Sequence, residues 1–218
     1  MTVLPDIGFD RLARMVPLFP LAGALLLPRG QLPLNVFEGR YLQMVRDAME
    51  TQRIIGMVQP TDPETHDEQP ALYRTGCIGR ISDFKSTEDG RFLITLTGLC
   101  RFALVDELPP ERAYRRALVS YARFRRDLEP DDSTEVDRES LLQALRGYLD
   151  IYDVDADWST LDQVSSEVLI TSLAMLCPFA PPEKQALLEA PALAERARVL
   201  TALLEFAGRQ SGDPAPLQ

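Results

Sequence analysis

The chain has 218 residues, of which 45% are hydrophobic and 26% are charged, a composition typical of a folded globular protein with one large or two small domains. No apolar run approaches the roughly 20 residues that span a bilayer, and the N-terminus lacks the basic start and apolar core of a secretory signal. Three widely spaced cysteines without a C-x-x-C pair argue against a disulfide framework or a zinc site. We therefore expect reduced, mostly buried thiols, no membrane association and a cytoplasmic location.

The net charge of −10 is shared unequally along the chain. Residues 1–126 contain 17 basic and 15 acidic side chains, whereas residues 127–218 contain 6 and 18. The change coincides with a change from strand-like to helix-like patterns, so we predict an α+β protein with two parts, residues 1–126 and 127–218. An acidic second part repels phosphate backbones, which makes nucleic acid an unfavoured partner.

Residues 16–41 are organised by prolines and glycines that divide them into three short apolar runs. Each of these punctuating residues blocks a helix or forces a turn, so short strands are predicted between them. In the last run the apolar side chains alternate, as one face of a strand requires. The period becomes helical after Glu38, where the apolar positions are Tyr41, Leu42, Val45, Ala48 and Met49.

Further strand patterns and turns fill the rest of the first part. The density of short strands, with one early helix, predicts a small closed or nearly closed barrel. An Asp-Gly turn is expected to join two of the strands, because this pair accepts the positive φ values of tight hairpins. The predicted strands cover residues 53–59, 75–85, 92–96, 100–104 and 114–124, with a polar acidic loop at residues 60–70 and the hairpin turn at residues 88–91.

The second part follows a helical period and predicts a bundle of about four helices. Its first apolar stripe lies within residues 141–152, and a turn is predicted at residues 153–160. Residues 164–177 are apolar almost all round, so we expect them to form the central buried helix of the bundle. Two further helices are predicted after Pro182 and Pro191, because proline is favoured in a first helical turn.

No catalytic or metal-binding pattern occurs in the sequence. A phosphate-binding G-x-x-x-x-G-K-[ST] loop is absent, and neither of the two lysines, Lys85 and Lys184, follows a glycine. The single histidine, His66, lies in the polar loop, where a catalytic base would lack rigid neighbours. The aspartate-rich loop that begins at residue 153 lacks the glycine and the final acidic residue that a calcium-binding EF-hand loop requires. We therefore predict no enzyme, no cofactor and no metal site.

The densest basic cluster surrounds the last predicted strand. Its arginines can contact RNA phosphates, which makes RNA binding the alternative function. They can equally pair with acidic side chains and protect a sheet edge, and they divide between both strand faces instead of forming one stripe. We favour this structural interpretation for Arg112, Arg115, Arg116, Arg123, Arg125 and Arg126.

The strand-to-helix junction provides the candidate binding residues, Phe37, Glu38 and Arg40. An acidic side chain is stabilised near a helix N-terminus, and an ion pair between Glu38 and Arg40 needs no ligand, so a purely structural interpretation is available. If a groove opens beside the junction, these three residues are the first candidates to line it. They are our candidate polypeptide-binding groove.

Six blocks occur in a characteristic order along nearly the whole chain: PLFPL (17–21), LLPRGQLPLNVFEGRYLQMV (26–45), IIGMVQP (54–60), LYRTGCIGRI (72–81), DGRFLITLTGLCRF (89–102) and PPEKQALLEAPALAERA (181–197). Together they resemble the substrate-binding domain at the N-terminus of Lon-type ATP-dependent proteases, and most of all the stand-alone bacterial proteins that consist of this domain alone. The family usually has proline where Gly39 stands, so the helix start is expected to be looser here.

The resemblance implies a PUA-like β-barrel followed by a helical bundle. It also implies non-catalytic recognition of other polypeptides, since neither an ATPase loop nor the Ser-Lys peptidase block of the full proteases is present. The expected protein is an adaptor or substrate-binding protein that engages unfolded or exposed apolar segments. Its expected partners are client polypeptides and an ATP-dependent protease, and the alternative is an RNA-binding PUA-like protein.

Overall fold

The computed structural model describes residues 9–65, 67, 69–131, 135–151 and 153–210. The chain divides into two compact units, Met1–Glu129 and Pro130–Gln218. The described strands all lie in the first unit, and the second unit is helical. The predicted α+β architecture is therefore confirmed. The predicted boundary after residue 126 falls slightly before the division between the units.

The first unit combines strands with one α-helix and two short 3-10 turns. Its described elements are the 3-10 turn Phe9–Arg11, β1 (Met15–Pro20), β2 (Gln31–Val36), α1 (Gly39–Met49), β3 (Ile54–Val58), β4 (Thr75–Ser86), β5 (Phe92–Glu107), β6 (Arg116–Ser120) and the 3-10 turn Ala122–Leu128.

The strands form a sheet that closes on itself. The order is β2-β5-β4-β3-β1-β6, and an additional pairing of β5 with β6 completes the ring. The long β5 makes this possible, because its first half pairs with β2 and its second half pairs with β6, while β4 runs along its other edge. Register shifts between Ile78 and Gly79 and between Ile81 and Asp83 bend β4. The predicted closed barrel is confirmed.

The barrel interior is filled by apolar side chains from every strand of the ring. Val16, Leu18, Ile78, Phe102 and Ala117 are fully buried. Burying each of the larger side chains contributes about 1.5–3 kcal/mol relative to exposure. This interior holds the strands that carry the surface loops described below.

One of the three predicted runs is not a strand. Residues 21–30 contain turns and irregular backbone, although Leu25, Leu26 and Leu27 are almost completely buried. The carbonyl oxygen of Leu27 lies so close to Gly98 that a Cβ atom there would be 2.0 Å from it. The segment thus covers β5 instead of pairing as a strand, and burial alone made it resemble one.

The last predicted strand, residues 114–124, is shorter than expected. β6 ends at Ser120, and the chain then turns through Ala122–Leu128. This turn is fixed to β5 by a buried ion pair in which Asp127 accepts hydrogen bonds from the backbone N, Nε and Nη2 of Arg101, at 2.9, 2.9 and 2.7 Å. Tyr121 and Phe124 follow the end of β6 and are nevertheless buried, so the alternation of apolar residues continues past the strand.

The second unit contains five described helices: α2 (Arg138–Ile151), α3 (Trp158–Gln163), α4 (Ser166–Leu176), α5 (Pro181–Glu189) and α6 (Leu193–Gln210). The predicted turn at residues 153–160 contains the start of the short helix α3, which Asp157 caps.

The helix predicted to be central is α4. It buries Leu169, Ile170 and Ala174, but Val168 is 52% and Leu176 80% exposed, so that prediction is wrong. Instead α6 packs against α2, α4 and α5.

Basic side chains in this unit cap the C-terminal ends of neighbouring helices. Arg138 donates to the carbonyl oxygen of Leu161 in α3, and Lys184 donates to that of Met175 in α4. Arg196 donates to the carbonyl oxygen of a residue in α5, Leu187. A positive charge at this end of a helix is stabilising.

Within the described part of the chain, no helix combines the length and the apolar character needed to cross a membrane.

Candidate functional site

A cleft of about 600 Å³ opens in the first unit. Three segments surround it: the start of α1, the loop after β3, and the connection between β5 and β6, with Pro20 at the end of β1. Among its lining residues are five prolines and two tyrosines, which give rigid, partly apolar walls: Pro20, Pro60, Pro63, Pro70, Pro110, Tyr41 and Tyr114. A concave surface with apolar walls and a few polar groups is the usual form of a binding site.

The first wall is positioned by α1. Glu38 has extended backbone angles and precedes the helix, which then buries Tyr41, Met44, Val45 and Ala48 against the barrel. Tyr41 packs on Phe19 with a centroid distance of 4.3 Å. Burial raises the pKa of Tyr41 above its ordinary value. The apolar period of this helix, visible in the sequence, therefore holds one wall of the cleft in place.

Two of the three predicted site residues lie together on this wall. Nη2 of Arg40 is 2.9 Å from Oε2 of Glu38, and both residues line the cleft. The Arg40 guanidinium also lies 4.7 Å from the centroid of the Tyr41 ring. Phe37 is placed differently: it is 63% exposed, its ring lies 5.9 Å from the Arg91 guanidinium, and it does not line the cleft.

The wall formed by the β5–β6 connection is held by hydrogen bonds to other elements. The Tyr114 hydroxyl donates to Asp47 at 2.7 Å. Burial and this hydrogen bond to Asp47 together raise the pKa of Tyr114 to about 12. Arg115 donates to both carboxylate oxygens of Glu107, at 2.8 and 2.6 Å, and to the carbonyl oxygen of Pro70 at 2.7 Å. The loop after β3 and the β5–β6 connection are thereby joined by one arginine.

Five of the six arginines of the predicted basic cluster have partners within the first unit. Besides Arg115, Arg112 lies 3.5 Å from Asp47, and Arg116 lies 2.7 Å from Glu111. The guanidinium groups of Arg123 and Arg125 lie over the rings of Phe124 and Phe9, at 5.9 and 4.2 Å. Phosphate binding by these arginines would have to compete with these contacts.

The remaining residues considered from the sequence are His66, the aspartates of residues 153–157 and the three cysteines. His66 lies outside the described residues. Asp157 accepts hydrogen bonds from the backbone N of Ser159 and Thr160, and side-chain hydrogen bonds from these two residues lower its pKa to about 2. The described part of the chain contains no group of three or more His, Cys, Asp or Glu side chains placed to hold a metal ion. All three cysteines are buried and free, as expected.

Much of the cleft could not be located from the sequence. The loop after β3 was recognisable only as polar and acidic, and the β5–β6 connection only as the approach to a strand. Tyr41 stands at an apolar position of the helical period and most of its side chain is buried, but it also lines the cleft. The repeated prolines in both loops are the one sequence signal that these walls are rigid.

The comparisons with known proteins agree with this architecture. Residues 15–205 match the family model for the ATP-dependent protease La (LON) substrate-binding domain. The chain is 30% identical over 114 residues to Lon protease 2 of Myxococcus xanthus, and this match covers 52% of this chain and 14% of that protein. It is 26% identical over 199 residues to a Lon protease of Flavobacterium johnsoniae, and this match covers 88% of this chain and 24% of that protein. The chain thus spans less than a quarter of the length of these relatives.

Solved structures show the same fold. The Lon N-terminal domain protein from Xanthomonas campestris superimposes with a TM-score of 0.61 at 28% identity, covering 86% of this chain and 97% of that one. The N-terminal domain of a Mycobacterium avium complex Lon protease gives a TM-score of 0.58 at 14% identity, covering 87% and 97%. The resemblance identified in the sequence is confirmed, and the chain belongs to the LON substrate-binding domain family.

Proposed function

We propose that this protein is a non-catalytic polypeptide-recognition module that binds unfolded or exposed apolar segments of client polypeptides. It acts in the cytoplasm as an adaptor or substrate-binding protein, with an ATP-dependent protease as its partner. Membership of the LON substrate-binding domain family supports the recognition of substrates by this unit. The cleft that Glu38 and Arg40 line is the observation that carries the proposal.

The chemistry of the cleft suits an extended polypeptide. Its prolines and tyrosines offer apolar contact to side chains, and the prolines restrict the backbone of the lining loops, which limits the entropic cost of binding. The arginines that line it already lie against carboxylates, so a strongly acidic ligand has to displace existing pairs. A segment of extended chain can instead form main-chain hydrogen bonds along the walls and place alternate side chains on the apolar surface.

Phe37 provides a second apolar contact. It follows β2 on the same face as Asn35, which pairs with the 41% exposed Leu93 of β5. Phe37 and Leu93 therefore give an exposed apolar pair at one end of the sheet. We propose that this pair binds apolar side chains of a client whose neighbouring segment occupies the cleft.

The test is binding of a permanently unfolded protein, such as a reduced and carboxymethylated one, compared with its native form. Fluorescence anisotropy should give a dissociation constant of about micromolar for the unfolded form, weak enough for release. Ala113 is exposed and lines the cleft, so Ala113→Trp should fill it and weaken binding by about tenfold, or about 1.4 kcal/mol. Ala122→Trp, at an exposed position that does not line the cleft, is the matched control.

Equal binding by the Ala113→Trp variant and the wild type would show that the cleft is not the site. Binding of RNA that weakens steeply with salt and is lost when Arg115, Arg116 and Arg123 are neutralised would support the RNA-binding alternative instead.

A further inference from the structure

A second concave surface lies in the helical unit, between the packed helices α2 and α6. It is a groove of about 490 Å³ that is lined by α2 from Ser140 to Ile151. This stretch is about 16 Å long at the helical rise of 1.5 Å per residue, or about three helical turns. Most of its lining residues are apolar or glycine: Ala144, Gly147, Tyr148, Ile151, Leu204 and Gly208. A groove of this kind accepts the apolar face of a third helix.

Two glycines leave room for such a helix. A Cβ atom at Gly147 would meet no atom within 4 Å, and one at Gly208 would meet only Cδ1 of Ile151, at 3.5 Å. Packing within the fold therefore does not require glycine at either position. Glycine inside a helix lowers the stability of that helix relative to alanine. Both glycines line the groove, where a missing side chain lets another backbone approach closely.

The unit that contains this groove is strongly acidic. Residues 127–218 contain 18 acidic and 6 basic side chains. Every one of the six basic side chains already has a contact within the unit: carbonyl oxygens for Arg138, Lys184 and Arg196, the Trp158 ring for Arg146, and carboxylates for Arg198 and Arg209. The one basic residue that lines the groove, Arg209, lies 3.2 Å from Glu205, which also lines it.

Exposed carboxylates stand at both ends of the groove. Glu139 precedes Ser140 at one end, and Asp150 and Asp153 lie on either side of Ile151 at the other. Within the described part of the chain, no basic side chain forms an ion pair with any of these three carboxylates. The groove is therefore apolar in its middle and negatively charged at its ends.

We propose that this groove binds an amphipathic helix of a partner polypeptide, with an apolar stripe flanked by lysine or arginine residues. The stripe packs between α2 and α6 through side chains spaced at i, i+3 or i+4, and i+7, and the basic residues pair with the carboxylates at the two ends. A second copy of this chain would bring two acidic units together, which like-charge repulsion opposes. Residues 211–218 of the chain contain no basic side chain, so they lack the complementary charge. This surface is independent of the cleft in the first unit and of client binding there.

The test uses three fluorescent peptides of about 18 residues, or about five helical turns. The first has an apolar stripe flanked by lysines, the second has glutamates in place of the lysines, and the third has the composition of the first in an order that breaks the stripe. Fluorescence anisotropy with the full chain should show binding of the first peptide and at least about tenfold weaker binding of the other two. Binding of the first peptide should weaken as salt is added.

Gly147→Leu separates binding from folding. The new side chain enters open space in the groove, so the lysine peptide should bind about tenfold more weakly. The melting temperature should not fall, because leucine favours a helix more than glycine does. Ala202→Leu, at an exposed position of α6 that does not line the groove, is the matched control and should bind like the wild type.

The charge is tested by Asp150→Asn/Asp153→Asn, which should weaken binding of the lysine peptide by about three- to fivefold. Asp83→Asn/Asp106→Asn changes the net charge equally at two exposed positions of the first unit and should leave binding unchanged.

Unchanged affinity of Gly147→Leu for the lysine peptide, or equal affinity of the wild type for the lysine and glutamate peptides, would overturn the proposal. A dimer in sedimentation equilibrium that Gly147→Leu abolishes would instead make a second copy the occupant of the groove. Tighter binding of the lysine peptide by a chain that lacks residues 211–218 would make those residues the occupant. Either of these two results would also overturn the proposal.

Discussion

The buried ion pair between Arg101 and Asp127 provides the sharpest test of how the first unit is held together. Arg101 is 4% and Asp127 6% exposed, and three hydrogen bonds join them. Asp127→Ala leaves the guanidinium buried without its counter-charge. Breaking a buried pair from one side costs about 3–5 kcal/mol, a large part of the roughly 5–15 kcal/mol that stabilises a typical protein.

The double variant Arg101→Met/Asp127→Leu is the matched control. It removes both charges and fills the space with apolar atoms, a replacement that is often neutral or stabilising. We expect it to recover most of the stability lost in Asp127→Ala. Urea unfolding followed by circular dichroism measures the free energy of unfolding of each variant. Hydrogen exchange analysed by mass spectrometry should place the loss of protection in Asp127→Ala on β5 and on the turn Ala122–Leu128.

A loss below about 1 kcal/mol in Asp127→Ala would mean that water replaces the carboxylate without penalty, against the burial on which this reasoning depends. A double variant as unstable as Asp127→Ala would likewise show that lost packing, and not an uncompensated charge, explains the effect.

Two further predictions concern glycines and thiols. Gly98→Ala should cost about 3 kcal/mol or prevent folding, because its Cβ would lie 2.0 Å from the carbonyl oxygen of Leu27; Gly147→Ala, in an open part of α2, should instead stabilise by about 0.5–1 kcal/mol in thermal unfolding. Burial raises the pKa of Cys100 to about 12 and that of Cys177 to about 11 from an ordinary value of 9.0. Below about pH 9 both thiols are protonated in both states, whereas above it the unfolded chain loses protons that the folded chain keeps, so stability should fall as the pH rises from about 9 towards 11–12. Ellman's reagent near neutral pH should label these thiols only after a denaturant is added, and rapid labelling of the native protein would contradict their burial.

The period of apolar residues in the sequence was sufficient to predict helices and strands in which one regular face is buried. β2 alternates as expected, with half-buried or buried Leu32, Leu34 and Val36 on one face. The same period gave wrong strands where buried apolar side chains belong to segments that are not strands, as in Leu25–Leu27 before β2 and in Phe124 after β6. In both places a contact distant in the sequence, with Gly98 or with Arg101, fixes the conformation. No local pattern contains that information.

The candidate site was predictable only on the side formed by consecutive residues. Glu38 and Arg40 lie at a strand-to-helix junction that the sequence marks by its change of period, and the structure places both on the cleft. The other walls come from residues far along the chain, which hydrogen bonds such as that from Arg115 to the carbonyl oxygen of Pro70 bring together. The order in which the strands join the sheet determines this meeting, and the sequence pattern does not specify that order.

The pairing of the first strand with the last has a consequence for synthesis on the ribosome. Met15 of β1 pairs with Leu118 of β6, so the ring cannot close until about 100 further residues have been made, which takes about 5–20 s at roughly 5–20 residues per second. During this interval β1 presents an unpaired edge, the kind of surface through which nascent chains associate. Slower translation of residues 107–120 therefore lengthens the time in which a newly made copy can aggregate, even though the finished protein contains no such edge on β1.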